Sequence, residues 1–246
     1  MEASSPRDSK PVKRKADQEE NRPAQLESEP GSPPGRREQN KADKLRRIRE
    51  AAYELFTSDG FDDTTLRQIA ARADVGFGTL FSYASNKRDL LFLVVTDDLM
   101  EMNRRAFDNA PTDVPLLDQL LYIWQIFYAF FDAQPTLARL TLRELHFYSE
   151  GILAHKFHQV LGALLTRLTE LVAAARERGE VRTTTADYRI ARAIWAIYSS
   201  EVRIWMGKDD RDIASGMVEL RQLLRILITG INNPTGDPDA GTPGSL

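Results

Sequence analysis

Apolar residues recur at three- and four-residue steps from about residue 41 to residue 231, the period of helices that bury one face. The fold class this predicts is all-α. Leu45, Ile48, Ala52, Leu55 and Phe56 make the first stripe, a helix over 41–59 stopped by Gly60. In the next stretch, 64–91, two short patterns meet at a tight connection. Thr65 and Gln68 have the spacing of a capping box, with Leu66, Ile69, Ala70 and Ala73 on one face. Asp74, Val75 and Gly76 break that pattern, and Val75 is the apolar plug expected between helices that cross steeply. A second short helix over 77–83 turns Leu80 inward and presents Gly78, Thr79, Ser82 and Tyr83 outward. This is the grammar of a helix-turn-helix, and the small residues at Gly76 and Gly78 let a backbone come close to a groove.

A long helix follows, capped by Ser85 or Asn86, with Asp89 in its first turn and Leu90, Leu91, Val94, Val95 and Leu99 on its buried face up to about residue 107. After Pro111 and Pro115, residues 116–131 are apolar nearly all round, so this helix is central. Its Trp124, Phe127, Tyr128 and Phe131 form either plain core or the wall of an apolar ligand cavity. Pro135 opens a further helix, Gly151 interrupts, and a helix over 152–178 ends at Gly179. Gln125, Arg143, Glu144, His146, Tyr148, His155 and His158 are polar groups able to fix a ligand head group. Two last helices, over 188–206 and 213–231, carry more apolar surface than one protomer absorbs, and pairing with a second copy would bury it. The organisation expected is an unstructured arm over 1–39, a DNA-binding unit over 40–90, a helical ligand-binding and dimerisation unit over 91–231, and a tail over 232–246.

Composition narrows the chemistry. The net charge of -3 confines any nucleic-acid affinity to a local patch. The arm carries Lys13, Arg14, Lys15, Arg36 and Arg37, which either add phosphate contacts or are simply solvated. The absence of cysteine excludes disulfides, thiolate catalysis and cysteine-ligated zinc. No run approaches the ~20 apolar residues of a membrane span and no signal peptide opens the chain, so a cytoplasmic protein without membrane attachment is expected. His155 and His158 lie one helical turn apart, but imidazole ligands need a converging third partner, and no metal site is assigned. No nucleophile with a paired base and no phosphate loop is present, so neither catalytic residues nor a cofactor are assigned.

Thr65, Ile69, Ala70, Ala73, Val75, Gly78, Thr79, Leu80, Tyr83, Lys87, Leu90 and Leu91 match, in type and spacing, the motif of the TetR/AcrR family of regulators, which this sequence resembles. Asp74 stands for the usual turn glycine, Gly76 for the capping serine, Phe81 for tyrosine and Ala84 for phenylalanine. Filling the space beside Ala84 falls to Phe56 or Phe61. The resemblance implies a homodimer that binds a palindromic operator in double-stranded DNA and answers to a small-molecule effector, more often as a repressor. It implies Arg67 as a reader of base edges, Gly78, Thr79 and Phe81 facing bases, and Thr65, Ser82, Tyr83 and Lys87 holding phosphates. It also places an effector pocket among the later helices, for which Trp124, Phe127, Tyr128, Phe131, His146 and Phe147 are the candidates. The helix starting near Asn86 would transmit the signal. The alternative is a helical ligand- or protein-binding module whose DNA head has degenerated, motivated by Asp74, Gly76 and Ala84.

Overall fold

A computed structural model describes residues 35–145 and 148–231. His146, Phe147, residues 1–34 and the tail over 232–246 lie outside the described residues, and with them two candidate effector contacts, most of the arm and the whole tail. Among the described residues every regular element is helical: α1 (Arg36–Ser58), α2 (Leu66–Arg72), α3 (Phe77–Phe81), α4 (Lys87–Asp108), α5 (Leu116–Ala133), α6 (Pro135–Glu144), α7 (Ala154–Glu177), α8 (Asp187–Met206) and α9 (Ile213–Ile231). α1 begins at Arg36, four residues inside the stretch expected to be an unstructured arm.

The first three helices form a small head. Gly60 takes a positive φ of 91° to end α1, and buried Thr64 donates its hydroxyl to the Gly60 carbonyl at 2.6 Å. The capping box at Thr65 is present in both directions, as the spacing predicts. α1 packs on α2 and on α4, and α2 on α3. Ile48, Phe56, Ile69, Leu80 and Ala84 are sealed inside. Phe56 and Phe61 are both buried, with ring centroids 5.0 Å apart.

Asn86 caps α4, its Oδ1 accepting from the Asp89 amide at 2.9 Å. α4 joins the head to the remaining helices, contacting α5, α6 and α7, while α8 packs on α7 and α9 covers α5 and α8. α9 comes close because Gly216 has no side chain: a Cβ there would stand 2.6 Å from Tyr128 and 2.8 Å from Trp205. Tyr128, Trp124, Tyr198 and Trp205 are all buried at the centre of this body.

Candidate nucleic-acid interface and ligand cavity

The turn between α2 and α3 is built around Asp74, the one non-glycine with positive φ (50°) among the described residues. Aspartate tolerates that region better than most side chains. Arg47 of α1 then fastens the turn, donating to the Asp74 carbonyl at 3.2 Å and its carboxylate at 3.0 Å. Gly76 caps α3 in an extended conformation without a side-chain bond. The departures at 74 and 76 therefore leave the helix-turn-helix geometry intact.

α3 presents an exposed tip. Phe77 and Phe81 are 40% and 43% exposed, and their rings meet edge to face at 5.0 Å. The exposed Arg67 of α2 lays its guanidinium carbon 5.6 Å from the Phe77 centroid. Gly78 is exposed between them, and a Cβ on it would meet nothing within 4 Å. Packing inside the chain does not require that glycine. Thr79 is half-buried beside it. Phe77 was not singled out in the sequence, although its i,i+4 spacing from Phe81 places the two rings on one face.

The four residues expected to hold phosphates all have partners within the chain. The Thr65 hydroxyl donates to Gln68 Oε1 at 2.7 Å, and that of Ser82 to the Thr79 carbonyl at 2.7 Å. The Tyr83 hydroxyl faces the Lys41 carbonyl at 3.4 Å. Lys87 donates to the carbonyls of Phe61 and Asp62 at 2.6 and 2.8 Å, with its ammonium 4.8 Å from the Phe61 centroid. A phosphate needs donors, so Thr65 and Ser82 could serve one only by breaking these bonds, whereas the Lys87 ammonium keeps a third N–H.

Lys87 belongs to a junction between the head and the later helices. Arg143 of α6 reaches Asp62 at 3.3 Å and Glu144 at 2.9 Å, and buried Glu144 also pairs with Arg88 at 2.6 Å. Immediately after Arg88, Asp89 is fully buried. Its carboxylate accepts from the Ser85 amide at 2.7 Å, the Ile152 amide at 3.2 Å and the Tyr148 hydroxyl. Burial works against this charge, but the hydrogen bonds from Tyr148, Ser85 and Ile152 outweigh it and hold the carboxyl below the usual aspartate range. Gly151 has φ 143°, and a Cβ on it would overlap Asp89 Oδ1. The segment before α7 is thereby latched onto the start of α4. Tyr148, expected among the head-group residues, is a part of this latch, and His155 and His158 lie exposed on α7.

Between α4, α5, α6, α7 and α8 lies an apolar cavity of about 50 Å³, lined by Leu99, Met102, Asn103, Phe127, Phe131, Leu142, Leu145, Val160, Leu161, Leu164, Trp195, Tyr198, Ser199, Val202 and Arg203. Of the expected wall residues, Phe127 and Phe131 line it. Trp124 and Tyr128 do not: Trp124 lies behind Tyr198, stacked on it at 3.9 Å, and Tyr128 packs against Trp205 at 4.6 Å. α5 keeps an exposed edge at Tyr122, Gln125 and Ala129, but over its buried part the sequence shows no difference between the cavity side and the core side. The lining from α4, α7 and α8 was likewise written in the sequence only as ordinary apolar stripe.

Residues 48–94 match the family model described as bacterial regulatory proteins, tetR family. The fatty acid metabolism regulator protein of Bacillus subtilis is 25% identical over 78% of this chain and 98% of its own. The transcriptional repressor KstR of Rhodococcus jostii is 27% identical over 76% and 84%. Among solved structures, FadR of Thermus thermophilus in complex with lauroyl-CoA superposes with a TM-score of 0.61 at 24% identity, covering 82% of this chain and all of that one. FadR of Bacillus subtilis in complex with stearoyl-CoA gives 0.60 at 21% identity, covering 76% and 98%. At those identities the structures testify to the fold alone.

Proposed function

Because this chain belongs to the TetR family of bacterial transcriptional regulators, we propose that it acts in the cytoplasm as a homodimeric repressor, released from a palindromic operator by an effector with a long apolar chain. The observation that carries this reading is the exposed tip formed by Arg67, Phe77, Gly78 and Phe81, which has no packing duty inside the chain and the size to enter a major groove. Arg67 reads a base edge, Phe81 packs on a thymine methyl, and Lys87 offers its remaining N–H to a phosphate.

α8 and α9 supply the dimer surface. Ile204, Val218 and Ile226 are 56%, 54% and 69% exposed there, an apolar surface that a second copy buries. Two heads then sit one DNA turn apart, ~34–36 Å, or a multiple of it.

The effector works as a wedge. A cavity of about 50 Å³ is far below the ~300 Å³ of a small-molecule site, so a chain enters only if the lining helices part. α4 supplies Leu99, Met102 and Asn103 to that lining, and its first turn is latched to the head-side junction, so a shift of α4 alters the spacing of the two heads. Effector and operator affinities are then reciprocally coupled. The acyl thioesters bound by the two FadR proteins suit such a cavity.

Selection of bound duplexes from a random pool at near-physiological salt tests the reading. A two-fold symmetric site should emerge, and Arg67→Ala should blur its consensus at one position per half-site, a loss of about 1–3 kcal/mol in discrimination. Failure to enrich any sequence, from protein shown to be folded and dimeric, sinks the operator reading.

A further inference from the structure

The apolar cavity has a polar neighbour. A groove of about 480 Å³ runs along α4 and α7, lined by Met100, Arg104, Lys156, Gln159, Thr166 and Arg167 among others, and it shares two wall residues with the cavity, Asn103 and Val160. Asn103 is more than nine-tenths buried, and its Oδ1 has no hydrogen-bond partner. An orphaned buried amide is unfavourable unless something polar completes it. Here it stands where an apolar compartment gives way to one with three cations.

Those cations are paired with exposed carboxylates, and Arg167 also lies over the Phe107 ring, 5.2 Å from its centroid. Arg104 pairs with Glu101 at 2.7 Å, Lys156 with Asp97 at 2.6 Å and Arg167 with Asp108 at 3.0 Å. All six side chains are well exposed, so the pairs are weak and screened. Exchanging a carboxylate for a phosphate, with more charge and more acceptor oxygens, is favourable on balance.

We propose that this groove takes the phosphate-bearing head of an acyl-coenzyme A thioester, with an amide N–H of its pantetheine arm at Asn103 and the acyl chain in the apolar cavity. The orphaned Oδ1 of Asn103 accepts from that N–H at the joint, and Arg104, Lys156 and Arg167 hold the phosphates. This rests on the reading of the apolar cavity as the effector site. It separates a coenzyme A thioester from a free fatty acid, which has a carboxylate but nothing to fill the groove.

The test measures binding of lauroyl-CoA, sodium laurate and coenzyme A alone to the full-length protein, and release of the selected operator by each. Lauroyl-CoA should bind at least about tenfold tighter than laurate, with affinity falling more steeply as salt is added. The triple variant Arg104→Gln, Lys156→Gln, Arg167→Gln should lose about tenfold for lauroyl-CoA, keep its laurate affinity and still bind operator. If that variant loses operator binding as well, Lys156→Gln alone and the salt series on the unaltered protein carry the comparison. Equal affinity for lauroyl-CoA and laurate, with no response to the substitutions, overturns the head-group site and leaves the apolar cavity reading standing. If neither compound binds nor releases operator, the effector reading fails and this proposal falls with it.

Discussion

Tyr148 and Tyr198 are both buried and both lie flat on another ring, Tyr148 on Phe92 at 4.0 Å and Tyr198 on Trp124 at 3.9 Å. Their hydroxyls meet opposite fates. That of Tyr148 is bonded to Asp89, inside a cluster whose polar atoms are closed on one another. That of Tyr198 has no partner, nor has the hydroxyl of Tyr128 or the indole nitrogen of Trp124 nearby. Directional bonds fix the joint between the head and α7, whereas dispersion alone holds the slab beside the cavity, and dispersion tolerates sliding. On the proposed mechanism, the bonded cluster lies where a movement is passed on and the unbonded rings lie beside the cavity where it begins.

Removing the centre of the stiff region should have the largest effect. Asp89→Ala strands the Ser85 and Ile152 amides and the Tyr148 hydroxyl, and should lower stability by about 3–5 kcal/mol, read from the urea midpoint. A loss under about 1 kcal/mol would show that the latch is not fastened in solution. The sharpest comparison is one substitution made twice. Tyr148→Phe should cost about 2 kcal/mol, while Tyr198→Phe, which deletes an unpartnered hydroxyl, should change stability by less than about 0.5 kcal/mol or raise it. Equal costs at the two sites would erase the distinction.

Lys87→Ala should cost about 1 kcal/mol through its two carbonyl partners, and should weaken operator binding at every sequence with a salt slope shallower by about one. An unchanged slope would make the lysine purely structural. The smallest effect is at low pH. The folded Asp89 carboxyl lies below its ordinary 3.8, so its contribution is complete above that pH and drains away as pH falls through the folded value. Acid unfolding below about pH 4 should therefore lose part of its steepness in Asp89→Asn.

Most of the fold was legible because helix caps and apolar stripes are local. The capping box at Thr65, the cap at Asn86 and the left-handed Asp74 all stand where residue type and spacing put them. The latch was not legible. Asp89 reads as an ordinary acidic residue in a first turn, and its partners Tyr148 and Ile152 lie some sixty residues away, across a separation that no periodicity spans. The two carbonyl partners of Lys87 were not legible either, since an ammonium near a helix start suits a phosphate and a pair of carbonyls equally well. The cavity was half legible: Phe127 and Phe131 face it, but Trp124 and Tyr128 point to other rings, and among the buried aromatic positions of one helix nothing in the sequence distinguishes the two.

Gly78 ends the matter at the tip of α3. The space its missing side chain leaves is outside the protein, and Arg67, Phe77 and Phe81 around it are exposed as well. A lineage can rewrite these four positions without first acquiring compensating mutations in the core. On the proposed reading, the residues that set operator preference can therefore change independently of the packed rings that line the effector cavity.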